Sequence, residues 1–218
     1  MANQSVATEK KSHLQHHFVD EDQQFESSKM GMWIFLVTEV LMFGGLFVAY
    51  IIYRAWHPDL FYEAAQELDV ALGATNTVVL IASSLTIALA IRAVQLDKIK
   101  AAINYMAATI LLAGTFMVIK YFEYMDKFGK GIYPGESYTY DGLEHEMAAN
   151  FFSIYYMMTG LHGIHVIIGM VLIGWMIIKA KKGLVHSGYY TPVENTGLFW
   201  HLVDIIWIFL FPLLYLID

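Results

Sequence analysis

The stretch MGMWIFLVTEVLMFGGLFVAYIIY, residues 30–53, decides the fold of this protein. It is apolar over almost its whole length and carries a single charged side chain, that of Glu39. About 20 apolar residues in an α-helix cross a hydrocarbon core about 30 Å thick. The stretch therefore predicts a transmembrane helix with one acid inside it, and that acid must be neutral or have a partner.

Four further apolar runs follow this stretch, and together they predict a polytopic membrane protein. The chain has 218 residues, of which 57% are hydrophobic and 15% charged, and its mean hydropathy is +0.49. A soluble domain has about 25% charged residues. The runs are continuous rather than alternating, which favours helices over a β-barrel. We predict an all-α bundle of five transmembrane helices at about 30–53, 72–94, 101–124, 148–178 and 196–217.

The charges outside these runs predict the orientation of the bundle. Residues 1–29 are polar and have no apolar core, so we expect a tail rather than a signal peptide, followed by one transmembrane domain at 30–218. With the N-terminus inside, nine of the 13 Lys and Arg residues lie on the inner side and four on the outer side. Because cytoplasmic loops are enriched in Lys and Arg, we predict a cytoplasmic N-terminus and an external C-terminus.

The composition also excludes several classes of function. A net charge of −7 gives no support for nucleic-acid binding. The absence of cysteine excludes disulfides, cysteine-ligated zinc, iron–sulfur clusters and thiolate-bridged copper. Any redox centre in this chain would have to depend on its nine histidines.

Ionisable residues within the predicted spans are the candidates for a functional site, because such groups are costly in lipid. The two acids Glu39 and Asp204 lie at similar predicted depths on different helices, which suggests a shared polar pocket. The alternative is that each acid only completes a local hydrogen-bond network. Lys120 and Glu123, three residues apart near the end of a span, are most simply an interfacial pair whose charges reach towards water.

Histidines supply the remaining candidates, at His162, His165 and His201. The first two are three residues apart on one helical face, a spacing that could hold a metal ion. No third ligand is evident on the same helix, and glycines flank both histidines. These features favour close helix packing over metal ligation.

Five stretches, one in each predicted span, resemble subunit III of the haem–copper cytochrome c oxidases. In chain order they are GMWIFLVTEVLMFGGLFVAY at 31–50, ATNTVVLIASSLTI at 74–87, KYFEYMDK at 120–127, NFFSIYYMMTGLHGIHVIIG at 150–169 and WHLVDIIWIFLFPLLYLID at 200–218. The last two are the most specific. The longer form of this family has seven membrane helices, and the chain resembles the shorter, five-helix bacterial form.

The resemblance implies a non-catalytic subunit of a respiratory oxidase that couples aerobic electron transport to proton pumping in the bacterial plasma membrane. It implies direct contact with subunit I, subunit II in the same complex, haem and copper in those partners, and bound phospholipid as the only ligand here. Glu39 matches the family's intramembrane glutamate, which implies support of proton uptake and protection against turnover inactivation. No catalytic or metal-binding residue is implied, and the remaining candidates for contact with lipid or another subunit are His162, His165, His201, Asp204 and Glu123.

Other functions stay open at this point. Within the same family the complex could be a quinol oxidase, and an accessory protein of a nitric oxide reductase is a weaker option. An ion or proton transporter could use the acids and histidines as a relay, but the sequence has no inverted repeat and no paired broken helices. A membrane enzyme with a histidine-bound metal would need more ligands than the spans supply.

Overall fold

The fold is a bundle of helices, as expected from the five apolar runs. A computed structural model describes residues 15–143 and 147–217, so that the first 14 residues of the predicted tail lie outside the described part. The helices are α1 (Glu21–Trp56), α2 (Pro58–Gln66), α3 (Val70–Gln95), α4 (Ile99–Gly129), α5 (Ala148–Lys181) and α6 (Thr191–Tyr215). All except α2 are long and apolar enough to cross a membrane. The prediction of an all-α polytopic bundle is confirmed.

The first helix begins nine residues earlier than the sequence analysis placed it. Asp20 is its N-cap, and the carboxylate accepts a hydrogen bond from the backbone N–H of Gln23 at 2.7 Å. Glu21 and Asp22 follow in the first turn, where acids interact favourably with the helix dipole. Residues 21–29 therefore extend the helix beyond the apolar run instead of belonging to a tail.

A short helix, α2, lies between the first two predicted spans, at about 30–53 and 72–94, where no helix was predicted. Pro58 stands at its start, and Leu60, Phe61, Ala64 and Ala65 are buried at helical spacing. The helix packs against α5 and closes one end of the bundle. Its acidic residues and the proline obscured the apolar face, which covers only one side.

The loop after α4 is attached to this same end of the bundle. Tyr140 donates a hydrogen bond to Glu67 Oε1 at 3.0 Å, which raises the pKa of the Tyr140 hydroxyl. Tyr156, on α5, donates to the carbonyl oxygen of Ile132 at 2.8 Å. The described part of this loop therefore folds back onto the helices.

Helix α1 lies at the edge of the bundle, whereas α3, α4, α5 and α6 pack on one another. Its buried residues are Leu36, Phe43 and Tyr50, spaced seven residues apart. They form a single line of contact, completed by a hydrogen bond from the Tyr50 hydroxyl to the carbonyl oxygen of Leu213. Most of the α1 surface is exposed and apolar, including Leu41 at 70% exposure.

The contact between α5 and α6 depends on a glycine. A Cβ atom on Gly169 would lie 2.6 Å from the indole ring of Trp200. Trp200 is fully buried and donates a hydrogen bond from Nε1 to Ser83 Oγ at 3.0 Å, so its ring has little room to move. We expect Gly169→Ala to lower the free energy of unfolding by about 1–3 kcal/mol, measured by thermal unfolding in detergent.

Gly174, on the same helix, is the matched control. No atom lies within 4 Å of the Cβ position there. Gly174→Ala should be neutral or raise the free energy of unfolding by up to about 1 kcal/mol, because alanine has the higher helix propensity. Equal effects of the two substitutions would contradict the packing argument.

Candidate functional site

The acid that interrupts the first apolar run has a partner on another helix. Glu39 lies near the middle of α1, and its Oε2 atom is 2.8 Å from Nε2 of His165 on α5. Both side chains are largely covered, at 13% and 11% exposure for Glu39 and His165. The ring of Phe43 packs edge-on against the imidazole at 5.3 Å between centroids.

The other nitrogen of this imidazole shows how many protons the pair holds. Nδ1 of His165 lies 2.7 Å from the carbonyl oxygen of Leu161, which can only accept a hydrogen bond. Nδ1 therefore carries a proton, and a single proton lies between Nε2 and Glu39. Either an imidazolium donates to a carboxylate, or a carboxylic acid donates to a neutral imidazole. In both forms the pair has no net charge, which explains how an acid is accommodated at this depth.

His162 occupies a different environment from His165, although one helical turn separates them. It is fully buried between the rings of Phe116 and Trp207, with centroid distances of 5.5 and 5.2 Å. Neither ring nitrogen has a hydrogen-bond partner in the part of the chain that the structure describes. His162 thus packs inside the bundle. The resemblance had made it a candidate for contact with lipid or another subunit, but the fully buried side chain offers no surface for such a contact.

Asp204 and Glu39 do not share a pocket, contrary to the expectation from their similar depth. Asp204 is on the side of α6 that faces α3, next to Ser84 and His201. The Ser84 hydroxyl lies 2.7 Å from Nδ1 of His201 and also approaches the Asp204 carboxyl. Among the described residues, however, neither Asp204 oxygen has a partner at hydrogen-bonding distance, although the residue is only 3% exposed. The two acids face different helices, so they form two separate polar sites.

A third polar site lies on α4 and involves two lysines around one acid. Lys120 Nζ is 3.0 Å from Glu123 Oε2, and Lys127 Nζ is 3.4 Å from Glu123 Oε1. Tyr155 and Tyr215 donate hydrogen bonds to the same Oε1 atom at 2.7 and 2.5 Å. The hydroxyls of these tyrosines also accept from Lys120, at 3.2 and 2.7 Å. We call these five residues the lysine–glutamate cluster.

The cluster corrects the expectation of an interfacial pair at Lys120 and Glu123. All three charged residues are buried, with exposures of 6%, 3% and 2% for Lys120, Glu123 and Lys127. The charges are therefore compensated inside the protein and not by reaching water. Lys127 was missed, although its spacing of seven from Lys120 places it on the same helical face. The two tyrosines, on α5 and α6, gave no sequence signal that would link them to this face.

These sites can hold protons and can compensate charges inside the bundle. Among the described residues, no three His, Asp or Glu side chains are grouped in a way that could hold a metal ion. Lys120 and Glu123 have hydrogen bonds to both tyrosines, and Glu39 has its bond to His165. These arrangements stabilise helix contacts.

Comparisons with known proteins agree on one family. The sequence profile described as Cytochrome c oxidase subunit III matches residues 4–218. The protein named Cytochrome c oxidase subunit 3 from Thermostichus vulcanus is 32% identical over 194 residues, which cover 86% of this chain and 86% of that protein. The Heme-copper oxidase subunit I+III of Aeropyrum pernix is 28% identical over 200 residues, covering 87% of this chain and 22% of that longer protein. The Probable quinol oxidase subunit 3 of Staphylococcus saprophyticus is 26% identical over 190 residues, covering 87% of this chain and 89% of that protein.

Proposed function

The chain belongs to the cytochrome c oxidase subunit III family, and from that membership we propose that it is the non-catalytic third subunit of a respiratory cytochrome c oxidase. In this function it binds subunit I and membrane lipid, supports proton uptake by the catalytic subunit, and slows inactivation during turnover. Haem and copper belong to the partner subunits. The location is the bacterial plasma membrane, with the N-terminus in the cytoplasm.

The observation that carries this proposal is the Glu39–His165 pair near the edge of the bundle. The Glu39 side of the pair lies on α1, whose outer surface is apolar and largely exposed, so that a neighbouring subunit or lipid can approach it. It holds a proton close to that surface without placing a net charge in the membrane. A group of this kind suits a supporting role in proton uptake better than a catalytic role, and neither the cavity beside Phe25 nor the one beside Asp204 is lined by Glu39 or His165.

Direct contact with subunit I is supported by a relative. One similar protein is named as a fusion of subunits I and III, and fusion is compatible with two chains that lie side by side. The exposed line of α1 offers an apolar surface for such a contact. Its exposed residues include Val37, Leu41, Val48 and Ile51.

The identity of the electron donor is a separate and more specific part of the proposal. Relatives named as cytochrome c oxidase and as quinol oxidase subunits both match this chain over most of its length. We favour cytochrome c, because the higher identity is with the relative named cytochrome c oxidase, at 32% against 26%. A quinol oxidase is the second candidate. It differs in the other subunits and leaves the role of this chain unchanged.

Purification of the native complex tests this function. With an affinity tag on this chain, we expect haem- and copper-containing subunits to co-purify and the eluate to oxidise reduced cytochrome c. After separation of the subunits, haem and copper should remain with the other chains. Haem or copper that stays in stoichiometric amount on this chain, or a tagged chain that elutes alone, would refute the proposal. Oxidation of quinol but not of cytochrome c would select the second candidate.

A further inference from the structure

A groove between α3 and α6 has features that the proposed function does not use. It has a volume of about 450 Å³, and its lining is apolar except for three polar side chains. Its lining residues include Ile81, Ser84, Leu85, His201, Asp204 and Ile208. We call it the Asp204 groove.

From this groove we propose that a transmembrane helix of another oxidase subunit docks on α3 and α6 and donates a side-chain hydrogen bond to Asp204. The inference rests on the proposed function, since it requires a complex with other membrane subunits. It adds a second contact surface, which is formed by different helices from the α1 surface that bears Glu39.

The unsatisfied carboxyl is the first argument for a partner. Asp204 is only 3% exposed, and neither of its oxygens has a hydrogen-bond partner among the described residues. A buried polar group without a partner is costly, and more so where no water is available. The neighbouring Ser84 hydroxyl is paired with Nδ1 of His201 at 2.7 Å and makes no hydrogen bond to either carboxyl oxygen. A donor from outside the chain would remove this cost.

The depth of Asp204 excludes the head group of a phospholipid as that donor. The residue is 13 positions after Thr191 and 11 before Tyr215 in α6. At 1.5 Å per residue it lies about 20 Å and about 17 Å from the two ends of the helix. Asp204 is therefore near the centre of the bilayer, where acyl chains provide no hydrogen-bond donor.

The shape of the groove favours a helix over a small ligand. Residues on both of its sides remain about half exposed, with 61% for Leu85, 51% for Ile81 and 50% for Ile205. A small-molecule site normally encloses 70–90% of its ligand. An open groove would leave much of a small ligand in contact with lipid. A helix, in contrast, can cover the whole groove and gain both packing and one hydrogen bond.

The exposed residues of α3 form a stripe that suits this partner. Val78, Ile81, Leu85 and Leu89 follow one another at intervals of three or four, with exposures of 67%, 51%, 61% and 39%. This spacing is that of one helical face, and it runs along the edge of the groove. A partner helix lying along the stripe would reach Asp204 from the side.

The absence of cysteine in this chain allows a site-specific test in the intact complex. We would introduce L85C at the groove and, as the control, L111C on α4, which is 73% exposed and lies outside the groove. The complex is purified through a tag on a catalytic subunit, the thiols are labelled with a maleimide benzophenone, and the sample is illuminated. We expect L85C to form an adduct whose mass equals this chain plus another subunit.

The possible results separate the inference from the proposed function. An L85C adduct with a lipid or another small molecule, or no more subunit adduct than L111C gives, would overturn the docked helix and leave subunit III membership intact. If this chain is absent from the purified complex, both the function and the inference fail.

The role of the carboxyl is tested by two substitutions that keep a side chain branched at Cγ. Asp204→Leu removes the acceptor without introducing a new buried polar group, so the chain itself should still fold. We expect the chain to dissociate from the complex in detergent about three- to tenfold more readily, the effect of one interhelical hydrogen bond. Asp204→Asn keeps an acceptor and should stay close to the wild type. Unchanged retention of Asp204→Leu would overturn the hydrogen bond that we propose.

Discussion

Glu123→Ala is expected to destabilise the protein by about 3–5 kcal/mol, because it leaves two buried lysines without their anion. Lys120 and Lys127 both lie against Glu123, and all three are almost fully covered. The hydrogen bonds from Tyr155 and Tyr215 to the carboxylate would be lost as well. Since the cluster joins α4, α5 and α6, we expect a low yield of folded protein and a lower unfolding temperature in detergent.

The same helix provides a matched control for this substitution. Lys130 and Asp126 form an ion pair at 3.0 Å with the same spacing as Lys127 and Glu123, but their side chains are 44% and 63% exposed. Exposed ion pairs contribute about 0–1 kcal/mol. Asp126→Ala should therefore be close to the wild type in yield and unfolding temperature. If Glu123→Ala were tolerated equally well, the cluster would not stabilise the bundle.

The second large effect concerns the reaction of Glu39 with a hydrophobic carbodiimide, which modifies protonated carboxyl groups. In the wild type, Glu39 is a carboxylic acid only in the form that donates to a neutral His165 imidazole, and in the other form it is a carboxylate. In His165→Leu the carboxyl has no base beside it and must be neutral in the apolar environment. We expect labelling of Glu39 to rise severalfold, measured by mass spectrometry of the separated chain.

Two variants define what this result means. His162→Leu changes a histidine one turn away that does not contact Glu39, and labelling should not change. Glu39→Ala should remove the label, leave the spectrum of the assembled oxidase unchanged, and reduce the number of turnovers before activity decays. Equal labelling in His165→Leu and the wild type would show that the pair does not share a proton. Loss of all electron transfer in assembled Glu39→Ala would indicate a catalytic acid, contrary to the proposed function.

The sequence was sufficient for the membrane spans, for a physical reason. In lipid every backbone polar group must find a partner within the chain, so a long apolar run has almost no alternative to a helix. The predicted ends of the helices were less accurate, because the helices continue into polar sequence. There the capping residues determine where a helix begins or ends. At α1, the pair Asp20 and Gln23 carried the signal for a start before the apolar run. Helix α2 was missed because four apolar residues on one face are a weak pattern.

The sequence analysis named Glu39 and His165 as separate candidates and did not pair them. Glu39 was expected to need a partner, and it has one in His165. The identity of that partner depends on how α1 and α5 lie against each other, and no local pattern contains this information. The rotation of α5 also directs His162 into the core while His165 faces α1. Sequence spacing alone had placed both on one face.

The single proton held between Glu39 and His165 also affects how the subunit responds to the membrane voltage. Moving one elementary charge through 100 mV involves about 2.3 kcal/mol. A proton that passes from Oε2 to Nε2 moves only within a contact of 2.8 Å, and the pair stays neutral before and after. The voltage that a respiratory membrane maintains therefore does almost no work on the polar centre of α1. Glu39 can exchange its proton with His165 equally well in an energised and in a de-energised membrane.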